Sequence, residues 1–88
     1  MKRPINQLTR MRDAAELARL IAQETTKSLS RDEEKRLFKL AHKHSCTVGE
    51  IRVQYKLSDT ADEVISKIYL TLAKAEAEAH NNETAKEI

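Results

Sequence analysis

The chain has 88 residues, with 16 Lys and Arg against 14 Asp and Glu and a formal charge of +2. A chain this short buries only about 60–65% of the surface its unfolded form exposes, so it makes one domain with a small core, and association with a second copy would help it. One Gly, one Pro and three aromatics (Phe38, Tyr55 and Tyr69) leave few tight turns, exclude an aromatic-rich core and disfavour an all-β fold. The composition predicts an all-α domain.

Other classes are excluded residue by residue. The single Cys46 cannot close an intrachain disulfide and fits a reducing compartment. The opening MKRPINQLTRMR is basic but is followed by no apolar stretch of the secretory kind. No apolar run approaches the ~20 residues of a membrane span. A cytoplasmic protein is the expectation. No Gly-rich phosphate loop, nucleophile elbow or HExxH pattern occurs, so neither an enzyme nor a bound cofactor is expected.

The first predicted helix begins near Pro4, tolerated in a first turn, or only at Asp13. Leu8, Met11, Ala14, Ala15, Ala18 and Ile21, with Leu17 and Leu20 alongside, form a wide inner stripe ending near Thr25. A start at Asp13 would leave residues 1–12 as a basic arm carrying Lys2, Arg3, Arg10 and Arg12.

The second helix is predicted from Arg31 to His44. Ser30-Arg-Asp-Glu33 matches a capping box, in which a hydroxyl accepts from the third helical amide and the Glu reaches back to the cap amide. Leu37, Leu40, Ala41 and His44 share one face. Arg36, Lys39 and Lys43 form a basic stripe on another.

Residues 47–57 carry two patterns. Thr47-Val-Gly-Glu50 is a second capping box, and Val48, Ile51 and Tyr55 would then face the core. Ile51-Arg-Val-Gln-Tyr-Lys-Leu57 also alternates apolar and polar, the mark of a half-buried strand. Such a strand finds no partner in this chain and would have to pair with a second copy. Read as a helix, Leu40 to Leu57 resembles the helix-turn-helix of many small bacterial and phage regulators, with Ser45 and Cys46 in the turn, although the turn lacks its usual Gly. Read as a strand, the segment resembles the opening of a ribbon-helix-helix protein, although no second helix of that fold follows. The helix is the preferred reading, and it places a helix-turn-helix at 31–57.

The last helix is predicted from Ala61 to Ala79 behind a third box, Thr60-Ala-Asp-Glu63. Ile65, Ile68, Leu72, Ala75 and Ala79 continue from Ala61 at alternating spacings of three and four, a heptad-like seam. The seam either covers the domain's own core or joins two copies as a homodimer. Residues 1–80 then form the domain, and 81–88 are a polar tail expected to fray.

Charge supplies the functional expectation. Residues 1–60 carry an excess of five positive charges and residues 61–88 an excess of three negative ones. Basic clustering is the footprint of a polyanion partner. For duplex DNA, the segment at 47–57 would enter the major groove, with Thr47, Gly49, Arg52, Val53 and Lys56 nearest the bases. Arg36, Lys39, His42 and Lys43 would hold phosphates. The rival expectation is a helical inhibitor or adaptor that docks on a partner protein. His42, His44 and Cys46 spell H-x-H-x-C, but three ligands leave a structural metal site incomplete, and no metal is expected.

Overall fold

The computed structural model describes residues 5–86, and their side chains through His80. Among the described residues four helices are formed: α1 (Gln7–Glu24), α2 (Arg31–Lys43), α3 (Val48–Arg52) and α4 (Ala61–Lys86). The described residues contain no strand, so the ribbon reading of 51–57 is overturned.

Each start is written in the sequence. The Asn6 side chain accepts from the Leu8 amide at 2.6 Å and opens α1. This replaces the alternative start at Asp13 and places Arg10 and Arg12 inside the helix. Lys2, Arg3 and Pro4 lie outside the described residues. Ser30 and Glu33 complete a full capping box at α2. Thr47 and Thr60 accept from the Glu50 and Glu63 amides, each at 3.2 Å. A cap of this kind contributes about 1 kcal/mol.

The turn after α2 explains how the chain manages without glycine. The Cys46 amide donates to the Ala41 carbonyl at 2.9 Å and the Ser45 amide to His42 at 2.9 Å. That is the Schellman arrangement, which needs one residue in the left-handed region. Ser45 takes it, with φ of 63°. Cys46 then turns inward and is buried.

α3 is shorter than the predicted helix, which ran to residue 57. It ends at Arg52, and Gln54 and Tyr55 close turns on the Ile51 and Arg52 carbonyls at 3.1 Å each. Ile51, Val53 and Tyr55 are weak helix formers, and only Ile51 of the three is fully buried; Tyr55 packs partly against the core and Val53 is exposed. Little packing energy is available to extend the helix past its first turns. α4 is longer than predicted, continuing beyond Ala79 to Lys86.

The core is aliphatic. It is built from Ala14, Leu17, Ala18, Leu20 and Ile21 of α1, Leu37, Leu40 and Ala41 of α2, Cys46, Val48 and Ile51 around α3, and Val64, Ile68 and Leu72 of α4. The inner stripe predicted for α1 is too wide: Leu8, Met11 and Ala15 are exposed. At 100° per residue Leu8 and Ala15 fall nearly opposite Leu17 and Met11 well round from it, on the side of α1 turned away from the core.

α1 and α2 run antiparallel, joined by Asp13–Lys43 at one end and Gln23–Glu33 at the other. α1 and α4 form the most extensive pairing. Arg10 bonds Glu76, the buried stretch of α1 follows Arg10, and the buried stretch of α4 precedes Glu76. These two helices are therefore antiparallel as well. Ile68 and Leu72 of the heptad-like seam are completely buried within the single chain, Ile65 and Ala75 pack partly against the same core, and Ala79 is half-buried. The middle of the seam is thus spent inside the domain.

Candidate functional site

The predicted basic surface lies where α1, α2 and α3 meet. Arg36 of α2 makes a two-pronged pair with Glu16 of α1, both contacts at 2.9 Å. Lys43 lies 3.0 Å from Asp13. Arg52 at the end of α3 holds Glu24 at 2.8 and 3.2 Å. The Arg36 hydrogen bonds hold the Glu16 carboxyl below its ordinary range, against an opposing effect of burial. Three of the six Lys and Arg side chains between Lys35 and Lys56 thus fasten α1 to its neighbours. The solvent-facing pairs of Arg36 and Arg52 contribute about 0–1 kcal/mol each and exchange partners easily, whereas the Asp13 carboxylate under Lys43 is buried.

The other candidates divide. Lys39 and His42 are exposed on α2, and Lys56 is exposed in the α3–α4 connection; the hydrogen bond from Lys67 holds the nearby Asp59 carboxyl below its ordinary range, with a smaller contribution from the Lys56 charge. Thr47 is occupied as a cap. Gly49 is exposed, and a methyl group there would meet nothing nearer than the Thr47 hydroxyl at 3.9 Å. Val53 is 71% exposed. These residues do not form one continuous cationic surface, because Glu16, Glu24 and Asp13 interleave with them.

The sequence reading missed the most concentrated charge cluster. His44 is completely buried, with Nε2 2.7 Å from Asp13 Oδ2 and Nδ1 2.8 Å from Glu76 Oε2. Lys43 reaches the same Asp13 oxygen. Arg10 grips Glu76 through Nη2 at 2.7 Å and Nε at 3.0 Å, and its guanidinium carbon lies 5.5 Å from the centre of the Tyr69 ring. Burial pushes the Asp13 carboxyl up, but bonds from His44 and Lys43 outweigh it and leave the group below its ordinary range. Glu76 behaves likewise, with Arg10 and His44 outweighing burial. The His44 ring thus bridges the two carboxylates, one at each ring nitrogen. The signal was present: Asp13 adjoins Ala14 on the inner arc of α1, and Glu76 follows Leu72 by four residues. Charged groups at core positions imply partners across the core.

His44 is committed to carboxylates, Cys46 Sγ points to the Thr71 carbonyl at 3.8 Å, and His42 faces outward, so H-x-H-x-C does not converge. Among the described residues no three His, Cys, Asp or Glu side chains group to hold a metal ion. Burial, aided by nearby carboxylates, pushes the Cys46 thiol up to about 11, far from a reactive thiolate.

An open groove of about 250 Å³ lies between α3 and α4, lined by Glu50, Val53, Gln54, Thr71, Lys74, Ala75 and Glu78. Leu57, on the connection leaving α3, is 85% exposed. Among the described residues no helix is long and apolar enough to cross a membrane. No protein-family model, curated protein or solved structure matches the chain.

Proposed function

We propose that this chain is a small helical protein-binding module, an inhibitor or adaptor that receives a partner segment in the groove between α3 and α4. The observation that carries this reading is an open groove with the large apolar side chain of Val53 left in water on its wall. Val53 lines the groove at 71% exposure, and Leu57 follows at 85% on the same connection. Contiguous exposed apolar surface bounded by polar groups marks association sites. Glu50 and Glu78 outnumber Lys74 around the groove, which favours an amphipathic helix with an apolar anchor and flanking basic residues.

Duplex DNA is the second reading, favoured by Lys39 and His42 standing exposed on α2 with Arg36 and Lys43 beside them. It is weakened by carboxylates on Arg36, Lys43 and Arg52. It is also weakened by an α3 of five residues, short for a helix that must read a groove.

One experiment separates the two. The tagged chain is used to capture partners from nuclease-treated lysate, and Val53→Asp and Leu57→Asp are run in parallel. The docking reading expects a protein retained after nuclease and lost with either variant, while the unfolding temperature stays unchanged. A low-salt titration with random duplex is the counter-test. Binding whose log affinity falls with log salt by about 0.9 per neutralised phosphate, insensitive to Leu57→Asp and weakened by Lys39→Ala, would replace the docking reading with the nucleic-acid one.

A further inference from the structure

We propose that α1 and α4 together present an apolar face that seats a second copy of this chain, on the side of the molecule away from α2. This inference is independent of the groove between α3 and α4. It also differs from the seam through Ile68 and Leu72, which is spent in the core.

The face is defined by spacing and exposure. On α1, Leu8, Met11, Ala15, Ala18 and Ala22 recur at intervals of three, four, three and four, the repeat of a helix-packing seam. Leu8 is 75% exposed, Met11 and Ala15 are exposed, and the stripe turns under at Ala18 where it meets the core. The opposite flank of α1 carries Asp13, Glu16 and Gln23, the residues that reach α2. The stripe therefore lies on the α4 side. On α4, Leu70 is 65% exposed and stands with Ala73 and Ala77 at the same three-and-four spacing. These lie just beyond Tyr69 and Glu76, the side chains that touch Arg10 of α1. The two stripes thus border one seam, and none of their side chains is charged.

Size and charge name the occupant. The 18 residues of α1 span about 27 Å at 1.5 Å each, and two neighbouring helices make a face roughly 19 Å wide. That is roughly 500 Å² in projection per copy and roughly 1,000 Å² for two, the level at which specific interfaces begin. The face is self-complementary. Because α1 and α4 are antiparallel, and Arg10 is level with the stretch from Tyr69 to Glu76, Arg19, nine residues further on, is level with Asp62 and Glu63 at the start of α4. A two-fold axis along the helices places α1 of one copy on α4 of the other in this register. Arg19 on the outer edge of one α1 then meets Glu63 on the outer edge of the partner's α4. Both are exposed in the single chain. The result is a four-helix arrangement with an isologous interface.

Sedimentation equilibrium of the full chain, from about 1 μM to about 1 mM, tests this. The expected result is a reversible dimer. Met11→Glu and Leu70→Glu each raise its dissociation constant at least about tenfold, with unchanged helical content and unfolding temperature because both sites are exposed. Val53→Glu leaves it unchanged. Arg19→Glu weakens the dimer, and adding Glu63→Arg restores it. A monomer at every concentration overturns the proposal. So does a dimer indifferent to Met11→Glu and Leu70→Glu, and so does one abolished by Val53→Glu, which would place the contact at the α3–α4 groove instead.

Discussion

Replacing His44 with leucine removes both ring contacts and leaves the carboxylates of Asp13 and Glu76 with only Lys43 and Arg10. A hydrogen bond to a charged group contributes about 1.5–3 kcal/mol, so losing two costs roughly 3–6 kcal/mol. Burying a leucine in place of the ring returns about 1–2 kcal/mol. The expected net loss is about 2–4 kcal/mol, near the range for breaking a buried charge pair. For a domain of this length that lowers the unfolding temperature by roughly 10–25 °C. Urea unfolding followed by circular dichroism gives the free-energy change directly, provided the slope against urea is unchanged. The double variant Asp13→Leu with His44→Leu removes donor and acceptor together and is expected to lose less than the two single losses summed. A His44→Leu loss under about 0.5 kcal/mol, or strict additivity in the double variant, would refute the assigned network.

Three further outcomes follow from other parts of the molecule. Ser45→Gly relieves the left-handed backbone at φ 63° and is expected to stabilise the chain by about 0.5–1 kcal/mol in the same urea assay, since the strain removed exceeds the flexibility added to the unfolded state. Gly49→Ala finds open space around its new methyl group and is expected to raise stability by a similar ~0.5–1 kcal/mol; loss of duplex binding in that stable variant would mean that the backbone at 49 does approach DNA. Asp13 and Glu76 both titrate below their ordinary values, so their contribution is present above the unfolded carboxylate range, about 4, and is lost as pH falls through the lower folded values. The unfolding temperature should therefore drop on acidification below about pH 4, and less steeply in Asp13→Asn.

Local signals in the sequence carried most of the fold. The Ser30, Thr47 and Thr60 caps mark three helix starts within a residue, because a cap acts through neighbours in the chain. The inward face of α2 follows from period alone; on α4 the same period finds Ile68 and Leu72 but includes Ala61, which is exposed, and passes over Val64, which is buried. Two things were not legible. Whether Leu8, Met11 and Ala15 belong inside depends on where α4 crosses α1, which no local pattern encodes. The partners of the basic residues were not legible for a related reason. Arg36 and Arg52 look alike as cations in the sequence, yet each is claimed by a carboxylate 20 or 28 residues away. The buried histidine was placed correctly on the inner face with Leu37 and Leu40, but its partners lie 31 and 32 residues distant on two other helices.

One long-range link joins Arg10 to Glu76, 66 positions apart. A chain emerging from the ribosome can pack α1 against α2 early, but the side of α1 that α4 covers stays open until residues 61–76 have been made. Closure of this domain therefore waits on a distant segment, the meeting of α1 with α4. Shortening either end past Arg10 or Glu76 removes half of that meeting and leaves α2 and α3 without a platform.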